Sequence, residues 1–162
     1  MEILRSPTNL NDYINSNPKR SLTNFAVFLA GGITGCPPWS DQAAELLGDV
    51  PNLLLFDPRR FDFDVNNTSM EEEQIGWEVR HLSIANAILF WFPKETLCPI
   101  TLFELGKAIG QNRMFVVGCD PEYKRKNDLI HQLKFANSTT TVKFSLEETV
   151  EELKRKTKLW RI

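Results

Sequence analysis

Five unbroken apolar runs punctuate the chain: "NFAVFLAGG", "NLLLFDP", "NAILFWF", "MFVVGC" and the shorter "TVKF". A run without polar alternation is what a strand covered on both faces requires. Between them lie segments with helical spacing: "WSDQAAELLGDV", "EEEQIGWEVRHLSIA", "TLFELGKAIGQN" and "KNDLIHQLKFA", with "SLEETVEELKRKTK" closing the chain. Ser145 and Glu148 form a capping box at the start of that last helix. Strands alternating with helices predict an α/β fold: a three-layer, Rossmann-like sandwich around a five-stranded parallel sheet. Residues 1–23 are polar and read as an irregular lead-in with at most one short helix; 24–162 read as a single domain. In such folds ligands bind beyond the carboxyl ends of the strands, where the strand order reverses.

Four segments leave those ends: "GGITGCPPW", "DPRRFDFD", "PKETLCPITLFE" and "DPEYKRKN". The Gly31–Gly32 pair fits either a tight turn or a close approach of backbone to a flat ligand, with Trp39 stacking on it. The dozen-residue loop "RRFDFDVNNTSM" is long enough to carry function. Its neighbours Asp57, Arg59 and Arg60, with Phe61, Asp62, Phe63 and Asp64, either pair among themselves or line a pocket. In the helix that follows, Ile75, Val79 and Leu82 form the predicted core stripe. Glu78 sits about 60° from that stripe at 100° per residue, on the same side as Gln74 and His81.

Glu104 lies opposite the Leu102, Leu105 and Ile109 stripe of its own helix, so it is not a packing residue. Two readings are open. Thr101 and Glu104 have the spacing of a capping box. Alternatively, a carboxylate on a helix's first turn, held ionised by the helix dipole, is poised as a nucleophile.

Composition narrows the setting. The 162 residues are 42% hydrophobic and 25% charged, enough for one soluble domain with a full core. A net charge of −2 argues against nucleic acid or an anionic membrane as partner. The basic run Lys154-Arg155-Lys156 reads as a solvated helix face. Three cysteines and two histidines follow no disulfide or zinc spacing, so neither a metal nor a cofactor is expected. The first residues lack a signal-peptide core, and no run is long enough to span a bilayer. A cytoplasmic protein is expected, in which the sequons at Asn66, Asn67 and Asn137 carry no meaning.

Together "FLAGGITG", "FDPRRFDFD", "QIGWEVRHLSIANAILFWFPKETLCPITLFELGKAIG" and "EYKRKND" resemble the nucleoside 2-deoxyribosyltransferase family, in the branch with a FLAG–PRR–WE–PITL-ELG pattern. The likeness covers roughly residues 25–135. It implies a flavodoxin-like fold and transfer of 2-deoxyribose between nucleobases, with nucleosides and nucleobases as partners. The glutamate of the family's ELG motif is the nucleophile, here Glu104, and a carboxylate on the preceding helix is the acid–base, here Glu78. The resemblance also implies a homodimer or larger homo-oligomer with shared sites, in which Asn127 serves a neighbouring subunit. Arg59, Gln74 and Trp77 fall at positions that shape the pocket. Cys98 stands where many members carry an acidic residue, Asn86 where an aspartate is common, and Gly32 where residues vary. In some members the terminal carboxylate, here that of Ile162, reaches the sugar.

Two other functions fit parts of the pattern. An N-glycosidase of the same superfamily would use water as acceptor and often takes nucleoside 5′-monophosphates, for which Thr34 and Arg59 could supply phosphate contacts. An inactive nucleotide-binding module would keep the glycines and aromatics without needing both Glu78 and Glu104.

Overall fold

The computed structural model describes residues 1–17, 25–62, 64, 66–136 and 139–158. The strand start predicted at Asn24, the loop aromatic Phe63, the sequon at Asn137 and the terminal Ile162 lie outside them. The elements run β1 (Glu2–Arg5), α1 (Leu10–Ser16), β2 (Phe25–Gly31), α2 (Trp39–Leu46), β3 (Leu53–Asp57), α3 (Thr68–Ile84), β4 (Ala87–Phe92), α4 (Pro99–Gly110), β5 (Phe115–Cys119), α5 (Lys126–Phe135), β6 (Val142–Lys143) and α6 (Leu146–Lys158). No described helix is long and apolar enough to cross a membrane.

All pairings are parallel, in the order β1-β3-β2-β4-β5-β6. The five predicted strands form the flavodoxin-like core of that sheet. The sixth, β1, lies in the segment expected to be irregular and pairs with the outer edge of β3, Glu2 opposite Leu54 through Arg5 opposite Asp57. Only four residues long and half-exposed, it carries too weak a pattern to be read locally as a strand.

Alternation along each strand feeds two cores. Phe28, Phe56, Ile88, Phe90, Phe92 and Val117 pack under α3, α4 and α5. Val27, Leu29, Leu55, Leu89 and Val116 pack against α2 and α6. The unbroken apolar runs arise because both sets are fully buried.

One helix start and one cap differ from the sequence reading. Helix α3 begins at Thr68 because the Asn67 side-chain oxygen accepts from the N–H groups of Ser69 (3.2 Å) and Met70 (3.4 Å). This shortens the preceding loop. At α6, the Ser145 hydroxyl accepts from Glu148 N–H (3.1 Å), as the capping box requires. The Glu148 carboxylate, however, accepts from Phe144 N–H (3.3 Å), one residue earlier than the motif specifies.

The predicted stripe of α3 is also corrected. Ile75 and Val79 are about half exposed, at 52% and 51%; the buried residues are Gln74, Trp77, His81 and Leu82. The helix turns these polar-tipped side chains inward because partners await them. Trp77 Nε1 donates to Thr8 O (2.8 Å), and His81 Nδ1 lies 2.7 Å from Trp77 O. The His81 ring stacks on Trp77 with centroids 4.0 Å apart. Hydropathy alone would not choose this face.

The end of β2 leaves no room for side chains. A Cβ on Gly31 would overlap the Trp39 indole and the Trp91 carbonyl; one on Gly32 would press on Thr96, Cys36 and Pro93. Neither glycine is needed for an unusual φ; both are needed for room. Gly31→Ala is therefore expected to destabilise the fold by about 2–3 kcal/mol through overpacking, read as a lowered urea midpoint with an unchanged slope.

Candidate active site

The order reversal falls between β2 and β4. Chain leaving β2 goes to β3 on one side, and chain returning from α3 enters β4 on the other. The connections diverge at the carboxyl ends of these strands and open a crevice. A cavity of about 260 Å³ occupies it, lined by Gly31, Gly32, Thr34, Thr96, Cys98 and Thr101 around Glu78 and Glu104. It runs into a wider groove of about 700 Å³ between α3 and α4. Ile33, Thr34, Pro58, Ile100 and both glutamates line the two together.

Helix α4 resolves one of the two readings of Glu104. Its N-cap is Cys98, in the left-handed conformation (φ 49°, ψ 54°), and Pro99 is its first helical residue. Thr101 is already inside the helix and is buried, so no Thr101–Glu104 capping box forms. Among the described residues none gives the Glu104 carboxylate a hydrogen bond or ion pair. Nor is Glu104 on the first turn. It is the sixth helical residue, beyond the reach of the helix-end charge that was expected to keep it ionised.

Burial dominates instead. The Glu104 pKa is raised to about 7: burial contributes most, the Glu78 carboxylate adds to it, and Lys107 one turn along partly opposes both. Burial also raises Glu78, opposed by a hydrogen bond from Gln74 Nε2 to Glu78 Oε1 (2.7 Å). Two carboxyls facing one small cavity with raised pKa values hold a proton near neutrality that isolated glutamates would have lost. Such a pair can give a proton from one member and an electron pair from the other.

The other residues singled out from the sequence divide into two groups. Gly31, Gly32 and Cys98 line the cavity, and Gln74 lines the groove. Burial pushes the Cys98 thiol up to about 12, so it is neutral here. The rest do not reach the cleft. Trp39 is buried on the opposite face of the sheet, its Nε1 donating to Gly32 O (2.7 Å), so it braces the glycine loop and is not free to stack on a ligand. Asp57 is buried and accepts from Arg5 Nε (3.0 Å) and Arg59 N–H (3.0 Å). The Arg59 guanidinium donates to Pro37 O (3.1 Å), tying the β3 loop to the β2 loop. Trp77 belongs to the core under α3. Asn127 is exposed on the first turn of α5 and lines neither cavity. Of the neighbouring loop residues, Arg60 lines the groove but pairs with Asp62 and Glu73.

Thr96 and Pro58 were not singled out from the sequence, and Thr101 only as a cap. Their signal was positional only: each follows the carboxyl end of a strand beside the switch point.

A flavodoxin-like α/β protein with a carboxylate pair at the switch point of its sheet is the class this architecture defines. Residues 24–123 match the family model described as nucleoside 2-deoxyribosyltransferase like. The match spans more than half of the chain, and the protein belongs to that family. No curated protein matches it significantly. Membership makes it an enzyme of the deoxyribosyltransferase-like type, with a function in glycosyl transfer or the related hydrolysis.

A partly buried carboxylate with a raised pKa costs stability once ionised, and the sign is definite. Unfolded, Glu104 titrates near 4.5; folded, near 7. The folded state therefore holds the extra proton, and stability falls as pH rises from about 4.5 through about 7. Glu104→Gln should raise stability by about 1–3 kcal/mol at pH 8 and leave it nearly unchanged at pH 4, measured by urea unfolding at both.

Proposed function

We propose that this protein transfers 2-deoxyribose between nucleobases by double displacement. The observation that carries the reading is the pair Glu78 and Glu104, facing one cavity at the switch point, with Glu104 uncapped. A nucleoside enters with its sugar against Glu104 and its base toward Glu78 and the groove. Ionised Glu104 attacks the anomeric carbon as the N-glycosidic bond breaks. Protonated Glu78 delivers its proton to the departing base. The result is a deoxyribosyl ester of Glu104, with Glu78 ionised. A second base then attacks the same carbon and gives its proton to Glu78. The ester bond breaks, Glu104 leaves as carboxylate, and the β-configuration is restored.

The raised pKa of Glu78 supports its role as an acid near neutrality. Developing positive charge on the sugar favours ionised Glu104 at the moment of attack, although burial holds it protonated in part when the site is empty. The buried, neutral Cys98 leaves the cavity without a second anion where many relatives have one.

Incubating a 2′-deoxynucleoside with a different free base tests the reading, with chromatography of the products. Wild type should make the swapped nucleoside. Glu104→Gln should lose about 10³-fold or more, and Glu78→Gln about 10²–10⁴-fold. Base release without exchange would make water the acceptor and the enzyme an N-glycosidase, with 5′-monophosphates then the substrates to compare.

The same reading includes a second copy of the chain at the mouth of the groove. Ile75, Val79, Ile100 and Phe103 are exposed along it, and a partner subunit would cover them while bringing its own Asn127 to the site. Mixing Glu104→Gln subunits with Asn127→Ala subunits should then restore about a quarter of wild-type activity, since half the dimers formed at random carry one intact site. Activity no greater than the sum of the separate variants would exclude a shared site.

A further inference from the structure

We propose that Ser6 is a positioning residue for Glu78: its hydroxyl fixes the Gln74 amide, and that amide fixes the carboxylate at the cleft. The inference rests on Glu78 being the acid–base. Ser6 lies in the segment before residue 24, outside the part of the chain that matches the family model.

The contacts are continuous. Ser6 Oγ donates to Gln74 Oε1 at 2.6 Å, both residues buried, across 68 positions of sequence. Gln74 Nε2 donates to Pro58 O at 2.7 Å and to Glu78 Oε1 at 2.7 Å. Pro58 O can only accept, so the amide nitrogen must face the Pro58–Glu78 side. The amide oxygen must then face Ser6, and the Ser6 hydroxyl must donate. Every polar atom of the Gln74 amide is used. Without Ser6 its oxygen would be left buried and unpaired, a state that favours rotation of the amide away from its present partners.

Ser6 is itself held from both sides. Ser6 N–H donates to Asp57 O (3.2 Å), Arg5 bonds Asp57 (3.0 Å), and Thr8 O accepts from Trp77 Nε1 (2.8 Å). The added strand β1 therefore brings a hydroxyl to the back of the catalytic helix as well as extending the sheet. A donor on Glu78 favours its ionised form against burial, which is the form needed to take the proton of the incoming base. The charged groups around it are Glu104 and Lys107 on α4, Glu71 on α3, and Arg60, which is paired with Asp62 and Glu73.

The test is a pH titration of the Glu78 carboxyl by carbon-13 NMR, assigned by the signal lost in Glu78→Gln. Ser6→Ala should move the Glu78 midpoint up by about half a unit or more, and Gln74→Leu at least as far. Leu4→Val, which loosens β1 without touching the hydroxyl, should leave it in place. In the exchange assay, Ser6→Ala should lower kcat about 10-fold with a smaller change in KM. A Ser6→Ala midpoint equal to wild type, or an equal shift in Leu4→Val, would overturn the proposal. The NMR readout does not depend on turnover. A wild type that is inactive in exchange while Ser6→Ala still shifts Glu78 would therefore uphold the contact chain and sink the transferase reading instead.

Discussion

Two glutamates are held where water solvates them poorly, and this constraint organises the molecule. Removing a carboxylate from water penalises its charged form. A fold that keeps Glu104 partly buried with its pKa near 7 therefore retains a group that opposes folding above neutrality. What offsets it is distributed: two apolar cores on a fully covered parallel sheet, and a set of hydrogen bonds that pin the loops around the crevice. Active sites commonly trade stability for reactivity in this way.

Much of what borders the cleft is bracing. Trp39 holds Gly32, Asp57 joins β1 to the loop after β3, and Arg59 ties that loop to Pro37. These residues stand beside the strand ends, where functional residues are expected, and their types fit ligand binding as well as bracing. They support the cavity wall from behind. The floor is left to small residues, Gly31 and Gly32, because any side chain there would collide with the supports themselves.

The fold was largely legible because its signal is redundant. Five apolar runs separated by helical segments leave few alternatives to a parallel α/β sheet, and the switch-point rule then locates the crevice. The Glu78–Glu104 pair was legible through motif resemblance more than periodicity. On periodicity Glu78 was a boundary residue and Glu104 an apparent cap. What failed were readings that rest on one helix alone. The α3 stripe was placed on Ile75 and Val79 because hydropathy ranks them above Trp77 and His81, yet Thr8 O in the lead-in takes the Trp77 N–H and the helix backbone meets His81 Nδ1. The start of α4 was placed at Thr101 because the spacing fits a cap. Cys98 and Pro99 begin it earlier, since a left-handed residue followed by proline is itself a helix start.

By itself, the sequence determined the order of elements, the two-sided burial of the sheet and the end of the sheet at which the crevice opens. All three follow from local periodicity and chain connectivity. Only the tertiary structure decided that β1 joins the sheet, that Trp39 faces away from the cleft, and that Ser6 reaches Gln74. It also decided the protonation of Glu104. A helix position predicts a dipole, whereas a pKa depends on how much water is excluded and which charges lie across the cavity. Those depend on elements that meet only when the chain is folded.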